Sequence, residues 1–192
     1  MNDFGSQKHD VGTLMQRLEP SPDGGDSSLP KDQLQRVRAL AADVTARLRN
    51  HGDTPTARKN SGNIALFTGP SGTGKTMAAQ ALARELGSEV IRIDMGQIVS
   101  KYIGETEKNL TAVFDATTNS DAILFFDEAD ALFGKRSVVK DSHDRYANIE
   151  INYLLQAASA HRGLVILGCN RPVGVLEQIR CVLDFTPQEK NE

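Results

Sequence analysis

Eight residues in the first half of the chain have the types and the spacing of a phosphate-binding loop. Gly69 to Thr76 form the sequence GPSGTGKT, which follows an apolar run and precedes a predicted helix. Glycines let the backbone direct its N–H groups at phosphate oxygens, and the amino end of a helix adds positive potential. Lys75 would reach the terminal phosphates of a nucleotide, and Thr76 would bind Mg²⁺.

Two adjacent acidic residues follow about fifty positions later, where Asp127 and Glu128 end the apolar run in AILFFDEAD. A carboxylate at the end of a strand can hold Mg²⁺, and a second one beside it can orient and polarise an attacking water molecule. The sequence therefore predicts a metal ligand at Asp127 and a catalytic residue at Glu128.

Three further residues are candidates for contact with the reacting phosphate. Asn170 ends the apolar run LVILGCN and is placed to hydrogen-bond the γ-phosphate or the attacking water, although an asparagine before Arg171 and Pro172 is also typical of a turn. Arg171 and Arg180 are candidates for the positive charge that stabilises the transition state. An arginine supplied by a neighbouring subunit contributes about 10³ to 10⁵ in rate in related systems; the alternative is a surface arginine.

Short apolar runs alternate with helical segments from residue 62 onward. The predicted strands lie near Ile64–Thr68, Val90–Asp94, Ala122–Asp127, Leu164–Cys169 and Val182–Phe185, and the predicted helices near Lys75–Leu86, Glu107–Thr117 and Arg145–His161. Runs such as AILFF are apolar at successive positions, as expected when helices cover both faces of a sheet. The pattern indicates an α/β domain over residues 61–192 with a largely parallel sheet.

The part before this domain divides in two. Residues 1–30 contain the linker-like stretch PSPDGGDSSLP, preceded by Leu14, Met15 and Leu18, which could form one helical turn in a frayed tail or a docking segment. Residues 31–60 contain an amphipathic helix near Lys31 to Asn50 and a polar connector. The apolar face of that helix, which comprises Leu34, Val37, Ala41, Val44 and Leu48, either packs on the main domain or contacts a partner.

Composition narrows the possible partners. The 192 residues carry 22 basic and 25 acidic side chains, for a formal net charge of −3. A protein that binds nucleic acid needs a surplus of positive charge, so we expect no nucleic-acid partner. No apolar run approaches the length of a membrane span, and the two cysteines have no metal-ligand or disulfide pattern. We therefore expect a cytoplasmic protein that does not associate with a membrane.

Taken together, these motifs resemble those of the AAA+ ATPases, in particular bacterial AAA proteins. The resemblance rests on GPSGTGKTMAA, SKYIGETEKNL, FFDEADALFGKRS and VKDSHDRYANIEINYLLQ. It implies a P-loop NTPase fold with a five-stranded, mostly parallel sheet in the order 5-1-4-3-2, which the N-terminal helix near Lys31 to Asn50 would precede. It also implies a ring, typically a hexamer, formed with itself or with a related AAA subunit, that hydrolyses ATP with Mg²⁺ to remodel or translocate a protein substrate.

The resemblance also assigns roles to single residues. The Walker A loop comprises Gly69, Pro70, Ser71, Gly72, Thr73, Gly74, Lys75 and Thr76, the Walker B pair is Asp127 and Glu128, and Asn170 is sensor 1. Tyr102 would lie on the pore loop that grips a polypeptide, unless it folds onto its own domain. Met77 would contact the base or belong to the core. The charged segment from Asp130 to Glu150 would lie at a subunit interface, or be a solvated face.

The chain departs from the family pattern in three places. Of the arginine-finger sequence only Arg180 remains, polar residues precede the first strand where an aromatic is usual, and no helical lid follows before Glu192. These departures favour nucleotide binding over turnover. They keep open an alternative to the ring ATPase, namely a nucleotide-binding assembly or regulatory module with little hydrolysis of its own. A small-molecule kinase fits less well, because adjacent Asp127 and Glu128 suit an activated water.

Overall fold

The structure, a computed structural model, describes residues 11–19, 29–50, 63–133, 143–171 and 178–185. Within these ranges the elements are α1 (Val11–Leu14), β1 (Met15–Leu18), α2 (Lys31–Asn50), β2 (Ile64–Thr68), α3 (Lys75–Leu86), β3 (Val90–Asp94), α4 (Met95–Ile98), α5 (Glu105–Ala116), β4 (Ile123–Asp127), α6 (Asp130–Phe133), α7 (His143–Ala160), β5 (Val165–Cys169) and β6 (Cys181–Asp184).

One sheet organises the molecule, with strand order β1-β3-β4-β5-β2-β6. The five strands from β2 to β6 are parallel and have the predicted 5-1-4-3-2 order. Their carboxyl ends therefore lie at one edge of the sheet, which we call the carboxyl edge. In open parallel sheets ligands bind at that edge.

The sheet also has a sixth strand, so the prediction of five was wrong. Met15–Leu18 pairs antiparallel with β3, in register from Met15 opposite Ile93 to Leu18 opposite Val90. The expected helical turn at Met15 and Leu18 does not form there. The reason is tertiary. Met15–Leu18 consists of good helix formers, but so short a stretch does not form a stable helix alone, and the outer edge of β3 offers it unpaired N–H and C=O groups.

Helices cover both faces of the sheet. Residues of α5 and α7 pack on one face with the side chains of Ile93, Leu124 and Leu167, whereas α2 and α3 pack on the other face with those of Phe67 and Phe125. This arrangement explains the successive apolar positions of the central strands, because β2 and β5 are buried at all five residues.

The amphipathic helix α2 packs on the main domain, in line with the first of the two alternatives. Val37, Ala41 and Val44 are buried in the same cluster as residues of α3, and Leu34 is half-buried. Arg36, directly before Val37 in the helix, donates from Nη1 to the backbone oxygen of Asp184 at 2.8 Å, which fastens α2 to the edge strand β6.

Several predicted features lie wholly or partly outside the described residues: the linker between residues 20 and 28, the connector between 51 and 62, and residues 134–142 of the charged segment from Asp130 to Glu150. The side chain of Leu48 also lies outside them. Where the structure does describe helices, none is long and apolar enough to cross a membrane.

Candidate functional site

The loop between β2 and α3 turns tightly at three glycines. Gly69, Gly72 and Gly74 have φ values of 143°, 81° and 98°, in a region that side chains with a Cβ rarely adopt. The loop is fixed to the sheet where Gly69 N–H donates to the backbone oxygen of Cys169 at 3.1 Å. Within the loop, Thr73 Oγ1 donates to the oxygen of Pro70 at 2.8 Å.

Lys75 lies at the centre of this loop and is 6% exposed. Its ammonium nitrogen donates to the backbone oxygens of Gly69 at 2.6 Å and Pro70 at 3.0 Å, and to Asn170 Oδ1 at 3.0 Å. An ammonium group so deeply buried needs acceptors for all of its protons, and these three satisfy it. The structure therefore brings together Lys75 and Asn170, which are 95 residues apart.

The remaining loop residues differ in exposure. Pro70, Ser71 and Gly72 are exposed, whereas Thr76 at the start of α3 is half-buried. Because Ala78 N–H donates to Gly74 at 2.8 Å, the first turn of α3 forms directly behind the loop. The unpaired N–H groups at the start of a helix attract anions.

Asp127 and Glu128 lie at the end of β4, on the same carboxyl edge. Asp127 Oδ1 accepts from the backbone N–H of Glu128 at 3.0 Å, and the Glu128 side chain is exposed. Glu128 has φ 57°, which is positive at no other non-glycine residue among those described. A glutamate held in the left-handed region costs of order 1–3 kcal/mol, and such strain is concentrated at functional sites.

Arg92 is a site residue that the sequence analysis missed. From β3 its Nε and Nη2 atoms both donate to Asp127 Oδ2, at 2.9 and 2.7 Å. The signal was present in the sequence, because an arginine in the middle of an apolar strand needs a buried or half-buried acceptor.

Asp130 is a second missed residue, at the start of α6. Its Oδ1 accepts from the backbone N–H of Asn170 at 3.1 Å, so it fixes the residue that contacts Lys75. Asn170 is half-buried between these two contacts. A turn-forming role and a sensing role for this asparagine are thus compatible, since its backbone makes one contact and its side chain the other.

Cys169, next to Asn170, is fully shielded from solvent. Burial above all, and then the charge of Asp130, raises the pKa of its thiol to about 12, while the charge of Lys75 acts in the opposite direction. Cys169 is a free thiol, as is the half-buried Cys181. A thiol with so high a pKa is protonated at neutral pH and serves as a small core residue.

The segment before α2 also contacts the loop. A Cβ placed on Gly74 would lie 3.0 Å from Leu29 Cδ2 and 4.0 Å from Gln33 Oε1. Leu29 is 5% exposed, and Gln33 Oε1 is buried without a hydrogen-bond partner in the part of the chain that the structure describes. Leu29 followed by proline at the start of a helix was the available signal for this contact. Met77 packs partly buried against the core on this face.

Tyr102 and Ile103 are among the most exposed apolar residues described, at 61% and 80%. They lie in the loop between α4 and α5, where Ser100 Oγ accepts from Tyr102 N–H at 3.1 Å. Gly104 then turns the chain into α5 with φ 79°. Within the described part of the domain the tyrosine ring is 61% exposed and not folded onto the core, and Lys101 Nζ lies 5.4 Å from its centroid.

The two candidate arginines are on different sides of the molecule. Arg171 is exposed and directly follows Asn170 on the carboxyl edge. Arg180 is exposed at the opposite edge, since its N–H donates to the oxygen of Ile64, where β2 begins, at 2.9 Å. The four steps between consecutive residues from Ile64 to Thr68 span about 13 Å. The structure thus does not bring Arg180 together with the phosphate loop of its own chain.

A cavity of about 400 Å³ lies away from these residues, between β1 and the end of α3. Its lining includes Arg17, Arg84 and Glu89 near the amino end of β3. Since the site residues gather at the carboxyl ends of the strands, this cavity takes no part in their arrangement.

A family model matches this chain over most of the residues that form the sheet. The family model described as "ATPase family associated with various cellular activities (AAA)" matches residues 65–186. That range contains the phosphate loop, the acidic pair at the end of β4 and Asn170.

Several curated proteins are similar over the same region. The chain is 40% identical over 117 residues to the ATPase family gene 2 protein of Schizosaccharomyces pombe, which covers 60% of this chain and 14% of that protein. It is 34% identical over 117 residues to the Cell division cycle protein 48 homolog of Archaeoglobus fulgidus, covering 60% and 16%. It is 31% identical over 176 residues to the 26S proteasome regulatory subunit 7 homolog B of Arabidopsis thaliana, covering 86% and 36%. The chain spans at most 36% of the length of these three proteins.

Solved structures give a fold comparison. A chain of the structure described as "Structure of E. coli MS115-1 HORMA:CdnC:Trip13 complex" superposes with a TM-score of 0.66 at 16% identity. The alignment covers 92% of this chain and 72% of that chain. At this level of identity the likeness shows a shared fold.

Proposed function

The chain belongs to the AAA family of ATPases, and from that premise we propose that it binds ATP with Mg²⁺ at residues 69–76 and hydrolyses it within a ring that remodels or translocates a protein. The observation that supports this most directly is the contact between buried Lys75 and Asn170 beside the glycine loop. It joins a phosphate-binding group to a group that can respond to the γ-phosphate.

Lys75 and the loop N–H groups hold the phosphates in this proposal. The lysine ammonium now donates to two loop carbonyls and to Asn170. Phosphate oxygens are stronger acceptors than these neutral oxygens, so Lys75 exchanges some of its present contacts when a nucleotide binds. Gln33 Oε1 is buried beside Gly74 and has no hydrogen-bond partner among the described residues, so it offers an acceptor to the base.

Thr76 and Asp127 are the proposed Mg²⁺ ligands. Both supply oxygen atoms, which Mg²⁺ prefers, and Asp127 Oδ1 has accepting capacity left beyond its bond from Glu128 N–H. The residues present therefore fit the ion. When bound, Mg²⁺ would neutralise charge on the phosphates.

Glu128 is the proposed general base. Its carboxylate is exposed at the carboxyl edge, and its strained backbone conformation fixes the direction in which the side chain leaves β4. Glu128 would orient and polarise the attacking water, while Asn170 holds the γ-phosphate or the same water. Asp130 positions Asn170 through the hydrogen bond at 3.1 Å.

Ring formation is supported by the location of Arg180. Because its backbone lies at the opposite edge from its own phosphate loop, Arg180 can reach a loop only in another subunit. Arg171, adjacent to Asn170, is the alternative that acts within one chain. Exposed Tyr102 and Ile103 suit a surface that grips polypeptides through apolar area.

A protein substrate, a cytoplasmic location and the absence of a nucleic-acid partner complete the proposal. One structural neighbour is a chain of a complex described as HORMA:CdnC:Trip13, which accords with a protein partner. A net charge of −3 gives no general attraction for nucleic acid. Two free cysteines suit a reducing compartment.

Steady-state ATP hydrolysis per subunit, measured over about a hundredfold range of protein concentration, tests the ring. We expect specific activity to rise with concentration. Lys75→Ala should abolish nucleotide binding, and Glu128→Gln should retain ATP while stopping turnover. Activity at background throughout, with nucleotide bound, would instead favour the binding module with little hydrolysis of its own.

A mixing experiment separates action between subunits from action within one. Lys75→Ala keeps Arg180 but lacks a working loop, whereas Arg180→Ala keeps the loop. If Arg180 acts on a neighbour, each variant alone is inactive and their mixture regains activity. Arg162→Ala, which removes an exposed arginine elsewhere, is the matched control. Full activity of Arg180→Ala alone would contradict the role of Arg180.

A further inference from the structure

The contact between Arg92 and Asp127 places a permanent positive charge on the proposed metal ligand. The two side chains are 35% and 14% exposed, and both donors of Arg92 converge on one oxygen, Oδ2, at 2.9 and 2.7 Å. Two hydrogen bonds from a guanidinium to a shielded carboxylate are directional and strong. Arg92 therefore fixes the orientation of Asp127 before any ligand arrives.

Counting acceptor positions shows what this contact leaves available. A carboxylate offers about four lone-pair positions, two on each oxygen. Arg92 takes both on Oδ2, and Glu128 N–H takes one on Oδ1 at 3.0 Å. With respect to the described residues, one position on Oδ1 remains for a cation.

The surrounding negative charges explain why Asp127 needs a positively charged neighbour such as Arg92. Asp94 lies directly opposite Asp127 in the register of β3 and β4, and Glu128 is adjacent. The Asp94 carboxylate accepts from Gly96 N–H at 2.8 Å and from Gln97 Nε2 at 3.3 Å, both of which belong to neutral groups. Like charges at opposed positions of a sheet repel. Among the described residues no three acidic side chains lie close enough to form a metal site by themselves. The negative charges of Asp94, Asp127 and Glu128 would still raise the local concentration of divalent cations, and Arg92 opposes that effect.

We propose that Arg92 sets the divalent-cation affinity of this site, by neutralising Asp127 so that the cation is held with a nucleotide and not alone. Phosphate oxygens supply the further ligands that a single open position on Asp127 does not. Arg92 is thus a positioning residue that also excludes the free ion. The part that concerns nucleotide rests on the proposed function; the competition with free cation does not.

The affinity of the full chain for Mn²⁺ in the absence of nucleotide tests the proposed role of Arg92. Mn²⁺ is a paramagnetic substitute for Mg²⁺, and its binding can be followed by electron paramagnetic resonance. The variants Arg92→Met and Arg92→Gln remove the charge, and Gln retains one donor for Asp127 should Met unfold the protein. The Kd for Mn²⁺ should fall at least about tenfold in both. Arg92→Lys, which keeps a charge, should resemble the wild type.

Two controls identify the cause. Arg162→Met removes an arginine from its pair with Asp121 at the other end of β4, about 20 Å away, and should leave the Kd unchanged. Adding Asp127→Asn to Arg92→Met should abolish the gain. An unchanged or weaker Mn²⁺ affinity in both neutral variants, or an equal gain in Arg92→Lys, would overturn the proposal.

The two hypotheses can fail separately. If the wild type hydrolyses ATP but Arg92→Met and Arg92→Gln gain no Mn²⁺ affinity, the role of Arg92 is wrong and the ATPase proposal stands. If no variant binds a non-hydrolysable ATP analogue, yet the neutral variants gain Mn²⁺ affinity, the ATPase proposal is wrong and the cation competition by Arg92 stands.

Discussion

The hydrogen bond from Asn170 N–H to Asp130 gives the sharpest test of how the site is held together, because among the described residues the Asp130 carboxylate accepts from this one donor. Asp130→Ala removes the carboxylate that accepts from Asn170 N–H at 3.1 Å. Asn170 Oδ1 in turn accepts from Lys75 Nζ at 3.0 Å. The substitution therefore leaves one half-buried N–H without its partner and frees the residue that contacts Lys75.

Hydrogen bonds to charged groups contribute about 1.5–3 kcal/mol, and the lower end applies here because Asp130 and Asn170 are both half-buried. We expect Asp130→Ala to lower the free energy of unfolding by about 1.5 kcal/mol. A small displacement of a catalytic group costs up to about a hundredfold in rate. We expect kcat to fall by between about tenfold and a hundredfold, with a smaller change in KM.

Urea unfolding and steady-state ATP hydrolysis measure the two effects in the same preparations. Asp130→Asn keeps an oxygen that can accept from Asn170 N–H, so it should recover most of the activity. Asp121→Ala is a matched control, because Asp121 is 73% exposed in its pair with Arg162 and such pairs contribute about 0–1 kcal/mol. Wild-type kcat in Asp130→Ala, whatever its stability, would refute the positioning of Asn170 by Asp130.

Two further predictions concern stability. Gly163→Ala would place a Cβ against the backbone oxygens of Ala122 and Asp121, the latter at 2.8 Å, so calorimetric or urea unfolding should show a loss of about 2 kcal/mol or more. In Gly87→Ala the added Cβ would have no described atom within 4 Å, so this substitution at φ +64° should cost only about 1 kcal/mol. Equal losses of stability in the two variants would show that the backbone relieves the clash at residue 163. Burial lowers the pKa of His161, against the opposing effects of its bond to Ala122 and the charge of Asp121. As the pH falls below about 6.5, the unfolded chain therefore binds a proton at His161 before the folded chain does. The stability contributed by neutral His161 is lost between that pH and the lower pKa of the folded state. Melting temperatures between pH 7.5 and 5 should fall more steeply for the wild type than for His161→Gln, and parallel curves would contradict this.

The predictable parts of the fold are those in which a single local requirement, such as full burial or an unusual backbone angle, determines the residue types. The β2 and β5 strands are buried at every residue, so their sequences are continuously apolar and easily recognised. The loop from Gly69 to Thr76 was equally clear, because only glycine accepts its backbone angles cheaply. The role of Lys75 as a phosphate-binding group was predictable from the sequence of that loop alone.

The missed features depend on contacts between distant residues. β1 forms because β3 offers a free edge, and the sequence Met15–Leu18 carries no comparable signal of its own. The pairing of Arg92 with Asp127 depends on the register of two strands that are 35 residues apart. The bond from Asn170 to Asp130 likewise requires that β5 and α6 be placed first. Local propensity does not specify such contacts.

The pairing of β1 with β3 also bears on how the protein behaves in solution. A chain lacking Met15–Leu18 would leave β3 at the rim of the sheet, with unpaired backbone groups along five residues. Such a rim is a template for strands from other molecules, and aggregation follows from it. With β1 in place the outermost strand has only four residues, and exposed Gln16 and Arg17 lie on it. Short, polar or charged edge strands resist such pairing, so β1 protects the sheet against self-association that would compete with any ordered assembly.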